Sequence, residues 1–175
     1  DNNGGNGISL TDVADVDFTG VSASSSGKGV EGLNFGSFTD TDGTFDSNVD
    51  GGIELTNLTG DFRLTRTSTS DNDSDQNGIG NGIEVLGVSG LASLLGISVN
   101  DSDRAGTGAS QVNGVLLGNI AGHITVAAAG ATGTTITGNR GVGLGIAGSL
   151  DGTPRRVGPV NPVRIVHMTR ESRCE

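Results

Sequence analysis

Two glutamates offer the first chemistry legible in this chain. Glu54 and Glu84 each stand third in a glycine-led segment, Gly52-Ile53-Glu54-Leu55 and Gly82-Ile83-Glu84-Val85. If these segments are neighbouring strands, about 4.8 Å apart, the carboxylates approach the roughly 5 Å separation of a retaining glycosidase pair. At that distance two charges repel by about 0.8 kcal/mol in water and about 3 kcal/mol at an effective dielectric near 20. An exposed pair is therefore tolerated without any catalytic role. Glu54 and Glu84 stand as candidate catalytic residues against a plain solvated acidic column.

Calcium is the second candidate chemistry. Asp40-x-Asp42-Gly43-x-x-Asp46 spaces carboxylates as oxygen-donor loops do, and Asp71, Asp73 and Asp75 would lie beside Asp101 and Asp103 if their two segments stack. The EF-hand pattern fails for want of its terminal Glu, and the Gly-Gly-x-Gly-x-Asp nonapeptide of calcium-binding β-rolls does not occur. Gly4-Gly5-Asn6-Gly7 and Gly141-Val142-Gly143-Leu144-Gly145 lack the Lys-Ser/Thr and the helix of a phosphate loop. His123 has no His or Cys companion in this part of the chain, which is the pattern of an ordinary surface histidine. Thr65-x-Thr67-x-Thr69 is similar to the threonine arrays of ice-binding solenoids, but the motif occurs once, so no flat threonine face is expected.

Composition narrows the elements that could position these residues. The 175 residues include 32 Gly and 5 Phe, no Trp or Tyr, and 33% hydrophobic residues apart from glycine. A core of large aromatics is not expected. The net charge of −10 is unevenly spread. Residues 153–175 hold all three prolines, the single Cys (Cys174), the single Met, and five arginines against Glu171 and Glu175. Residues 1–152 carry five basic and eighteen acidic groups, which disfavours nucleic acid and anionic membrane as partners of the body. One cysteine gives neither a disulfide framework nor a zinc spacing. No apolar run approaches the ~18 residues of a membrane span. The opening Asp1-Asn2-Asn3-Gly4 has no initiator Met or signal peptide, and we read the chain as a piece of something longer.

Spacing separates order from disorder. The pattern Gly, apolar, any, apolar, any, any, apolar begins at Gly7, Gly32, Gly52, Gly82 and Gly114, and more weakly at Gly141. These glycines lie 25, 20, 30, 32 and 27 residues apart, periods typical of stacked repeats. Two copies agree at length: Gly52 to Leu64 aligns with Gly114 to Val126 as a strand, a bend marked by Asn and Gly, and a second strand. Alternation puts Ile53, Leu55, Phe62 and Leu64 on one side, and Glu54, Asp61 and Arg63 on the other. A third strand is expected around Ile97-x-Val99 and Ile136, with the excess length in Thr65–Asn81 and Leu95–Asn113. One unit cannot bury its apolar side, but a stack can close a thin column of Ile, Val and Leu.

The repeat resembles that of right-handed parallel β-helix proteins, the pectate-lyase-like superfold, and is most similar to the Gly/Asn/Thr-rich type of bacterial surface and secreted proteins. The resemblance covers residues 1–152. It implies an all-β solenoid of about six coils, with 153–175 as an irregular basic tail outside the repeat. It specifies architecture more than function, because the superfold hosts lyases, hydrolases and adhesins alike. The Asn-Thr-Asp, Asp-Asp, Gly-His-Gly and Arg-Ile-Lys cluster of polygalacturonase-like relatives is missing, Arg164-Ile165-Val166 being a fragment at best.

Function is therefore expected to be structural or adhesive: an extracellular or cell-surface segment presenting loops to carbohydrate or protein, without a cofactor unless calcium binds. The alternative is a fragment of a polysaccharide-degrading enzyme. The segment is expected either to continue into further coils or to associate end to end, because bare strands pair with whatever meets them.

Overall fold

The computed structural model describes residues 4–72, 80–100, 113–139 and 141–147, together with the backbone pairing of Arg164–Ile165. Every described regular element is a β-strand. The chain first forms β1 (Ile8–Thr11), β2 (Asp15–Thr19), β3 (Lys28–Phe35), β4 (Ser37–Thr41), β5 (Gly51–Leu58), β6 (Phe62–Thr65) and β7 (Ser68–Ser70). It continues through β8 (Ile83–Val88), β9 (Ala92–Leu95), β10 (Ser98–Asn100), β11 (Val115–Ile120), β12 (Ile124–Ala127), β13 (Thr135–Thr137), β14 (Leu144–Ala147) and β15 (Arg164–Ile165).

These strands form three parallel sheets. Their orders are β1-β3-β5-β8-β11-β14, then β2-β4-β6-β9-β12, then β7-β10-β13-β15. Isolated parallel bridges from Ser22 to Thr44 and from Thr44 to Ser68 extend the third sheet toward the N-terminus. From β5 to β13 the chain visits the three sheets in turn, returning each time to the first one strand further on. Within the basic tail, Arg164 and Ile165 pair with Thr135 and Ile136.

Left-handed residues make the corners, and they line up from one circuit to the next. Asp12, Asn34, Asn57, Gly87 and Asn119 have positive φ at the ends of the first-sheet strands; Gly20, Asp42, Arg66 and Gly96 have it after the second sheet, and Ser25, Ser47 and Asp71 after the third. Asn and Asp tolerate this backbone because their short polar side chains bond locally. Here they also bond upward and downward: Asn57 Nδ2 donates to Asn34 Oδ1 at 3.1 Å, and Asn34 Nδ2 to Asp12 Oδ1 at 3.3 Å.

Alternation places the core as expected in the later circuits. Ile53, Ile83 and Val115 are register partners and fully buried, as are Leu55, Val85 and Leu117 one step along. Ile97, Val99 and Ile136 line the third sheet from inside. The early circuits differ from the aliphatic column expected. Phe35, Phe38, Phe45 and Phe62 are all buried, with the Phe38 and Phe62 rings stacked at 6.1 Å and Phe18 edge-on to Phe38 at 5.5 Å.

Register corrects two of the six repeat copies. Val30, not Leu33, pairs with Ile53, which aligns Gly29 rather than Gly32 with Gly52; likewise Leu144 pairs with Val115, which aligns Gly143 rather than Gly141 with Gly114. Gly32 instead takes an inward position opposite Leu55. A Cβ there would lie 2.4 Å from the Phe35 ring, so that ring fills the room an aliphatic side chain would have used. Leu33 and Val142, expected inside, are 42% and 39% exposed.

The corrected glycine column has a partner that periodicity did not flag. A Cβ on Gly29, Gly52 or Gly114 would come within 2.9, 2.9 and 2.5 Å of the amide nitrogens of Asn48, Asn72 and Asn139 respectively. These asparagines are buried where their circuits end. Asn48 Nδ2 donates to Ala23 O and Asn72 Oδ1, while Asn72 Nδ2 donates to Phe45 O. Gly29 and Gly52 thus make space for the amides of Asn48 and Asn72, which tie the ends of their circuits to neighbouring circuits.

Candidate functional site

The first sheet brings the sequence-predicted glutamates together and adds a third. Glu31, Glu54 and Glu84 are successive register partners on its outer face. Glu31 joins the column only when the repeat is aligned from Gly29, since a repeat starting at Gly32 gives it no place. Lys28 sits against this column, bonding Glu31 at 2.6 Å and Glu54 at 2.9 Å. Burial works to lower its pKa, but the bonds and charges of Glu31 and Glu54 outweigh that and hold it above its ordinary value. Asn6 donates to Glu31 at 2.6 Å, and Asn81 donates to Glu84. Glu54 and Glu84 therefore lie side by side, one ion-paired and the other amide-bonded.

An open hollow of about 620 Å3 lies elsewhere, at the first corner of the early circuits. Asp12, Asp15, Asn34, Asn57 and Thr59 surround it, with Phe35 among the lining residues. Neither Glu54 nor Glu84 lines it. Its polar groups are hydrogen-bonding amides and carboxylates, able to meet hydroxyl or amide groups of a ligand.

The calcium candidates are dispersed by the corners. Asp42 is exposed and forms a bidentate pair with Arg66, at 2.6 and 2.9 Å. That pairing, by hydrogen bond and charge, holds its carboxyl below the usual range. Asp46 lies beside β7, accepting from Ser70 N at 2.7 Å and Ser68 Oγ at 3.3 Å. Asp71 is an exposed corner residue. Asp73, Asp75, Asp101 and Asp103 lie outside the described residues. Among the described residues, no three His, Cys, Asp or Glu gather where they could hold a metal ion. A calcium site built on the acid-rich arms would raise the melting temperature in millimolar calcium, reversibly on chelation. Identical calorimetric traces with and without the metal would leave these acids as solvated surface.

Asp40 points the other way, into the core. Its column neighbours on the second sheet are Phe18 and Leu64, and it is fully buried. Thr67 Oγ1 donates to Oδ2 at 2.5 Å and Gly43 N donates to the same oxygen at 3.1 Å, leaving Oδ1 without a partner. Desolvation, aided by the charges of Asp42 and Asp17, pushes this carboxyl above the ordinary 3.8 despite those two bonds. A raised folded-state pKa gives stability that is fully present below the unfolded value and lost as pH rises through the folded one. The Asp40→Asn variant should therefore gain melting temperature over the parent as pH climbs from 3 toward 7. Curves that stay parallel across that range would show that Asp40 titrates as it does unfolded.

The remaining motifs are placed plainly. His123 is exposed just before β12. Thr67 and Thr69 are buried, so the Thr65-x-Thr67-x-Thr69 motif turns inward and forms no outer threonine face. No protein-family model, curated protein or solved structure matches the chain. No helix among the described residues is long and apolar enough to cross a membrane.

Proposed function

We propose that the chain is a right-handed parallel β-helix of about six coils, and that it serves as a structural or adhesive segment of a larger extracellular bacterial protein, displaying its surface to carbohydrate or protein partners. The observation that carries this reading is the order of the sheets: each is parallel throughout and gains one strand per circuit. Such a stack is a rod whose length grows with repeat number and whose outer faces and arms are free to vary. The hydrogen-bonding hollow at Asp12, Asn34 and Asn57 is where a hydroxyl-rich or amide-rich partner would meet it.

A second reading, a fragment of a polysaccharide-degrading enzyme, draws on the adjacency of Glu54 and Glu84. The Lys28 and Asn81 contacts, and the fact that neither glutamate lines the hollow, favour the structural reading. Sequencing the DNA that flanks the coding segment separates the two. Further circuits of the same kind followed by an export barrel support the adhesive segment, whereas a circuit bearing clustered Asp, His and Arg supports the enzyme. The same sequence tests whether residues 153–175 are native to the protein.

A further inference from the structure

Three Asn-Gly pairs occupy the corner that opens the first sheet, and each is gripped in the same way by one residue of the following circuit. Lys28 N donates to Asn6 Oδ1 at 3.1 Å while Gly7 N donates to Lys28 O at 2.8 Å. Asn113 N donates to Asn81 Oδ1 at 2.7 Å while Gly82 N donates to Asn113 O at 3.1 Å. Val142 N donates to Asn113 Oδ1 at 3.0 Å while Gly114 N donates to Val142 O, also at 3.0 Å. One backbone unit thus holds both the side-chain amide and the next main-chain nitrogen of each pair.

Asn-Gly is the dipeptide most open to spontaneous deamidation, because glycine puts no side chain in the way of ring closure. The glycine nitrogen loses its proton and attacks the asparagine Cγ. The Cγ–Nδ2 bond breaks, ammonia leaves, and a succinimide ring forms. Water then opens either ring carbonyl, giving Asp or isoaspartate. In this fold the attacking nitrogen has its proton committed to a carbonyl of the next circuit. The side-chain carbonyl is also held by its own bond to that circuit, which must break before the Cγ group can turn to meet the nitrogen.

We propose that Asn6, Asn81 and Asn113 are modification sites closed by this two-point clamp, so that deamidation at each is gated by local opening between its circuit and the next. The change is one-way. Isoaspartate routes the main chain through an additional methylene, which breaks the register of a parallel ladder. At Asn6 and Asn81 the new carboxylate would also face Glu31 or Glu84, where the lost amide had donated.

The test uses the full chain at pH 8, with mass-spectrometric peptide mapping and an isoaspartate-specific methyltransferase as the readout. Synthetic peptides spanning each pair supply the unclamped rate. The three pairs should stay amidated in the folded chain while the peptides, and the chain in urea, convert. Proline has no N–H, so Val142→Pro removes the donor to Asn113 Oδ1. Conversion at Asn113 should then rise on the order of tenfold, the scale of one lost hydrogen bond, with Asn81 as an internal control of the remaining fold. Native rates equal to the peptides' would overturn the proposal. So would a Val142→Pro chain in which Asn113 stays as slow as in the parent, or in which Asn81 accelerates equally.

Discussion

Replacing Ile83 by Asp should abolish cooperative unfolding. Ile83 is fully buried between its register partners Ile53 and Val115, in the middle of the first sheet. Nothing around it donates to a carboxylate, because the ladder occupies the neighbouring backbone groups. An unpaired buried charge belongs to the short list of changes that cost more than about 4–5 kcal/mol, which is comparable with the whole stability of a small domain. Circular dichroism would then show a broad, non-sigmoidal melt. A variant with a sharp transition within a few degrees of the parent would mean that this position faces solvent.

The second large effect is expected from backbone crowding. At the first corner Gly60, Gly90 and Gly122 stack, with Gly60 O accepting from Gly90 N at 2.9 Å. A Cβ on Gly122 would stand 2.2 Å from Gly90 O and 2.6 Å from its carbonyl carbon. Both obstacles are main chain, so no side chain can swing aside. Two adjacent circuits would have to separate, and Gly122→Ala should cost about 1–3 kcal/mol, the usual range for overpacking. Gly130→Ala is the control: its Cβ would meet nothing within 4 Å, although its φ of +62° adds some strain. Equal melting temperatures for Gly122→Ala and the parent would refute the close approach.

How far the sequence reveals this arrangement depends on which interactions recur at the same spacing. The alternation of Ile53, Leu55, Phe62 and Leu64 is local, and it reads correctly because each strand repeats one decision: inward or outward. The adjacency of Glu54 and Glu84 follows from the same alignment. Gly32 misleads because its inward place is filled from Phe35, three residues on, so the apolar signal is displaced along the chain. Asp40 misleads in the opposite sense. Its alternation phase is that of Phe38, but a carboxylate spaced two from Asp42 reads as a surface loop until the Thr67 hydroxyl and Gly43 amide that receive it are in view.

The inner asparagines were harder still. Asn48 and Asn72 close their circuits against Ala23 and Phe45 of the circuit before, contacts between residues more than twenty apart. Variable arm length hides their common role. Their one signal is relational: each requires a glycine at the opening of its own circuit.

The most direct test of the parallel stack is a distance between strands remote in sequence. Glu31, Glu54, Glu84 and Leu116 form one outward column by successive register, so Glu31 and Leu116 are three strand steps apart, about 14 Å. Nitroxide labels on a Glu31→Cys/Leu116→Cys chain, with Cys174→Ser removing the native thiol, report that separation by electron paramagnetic resonance. The account predicts a single dipolar distance near 14 Å between label-bearing backbones, broadened by the label arms. A distribution centred far beyond this, or none at all, would contradict it.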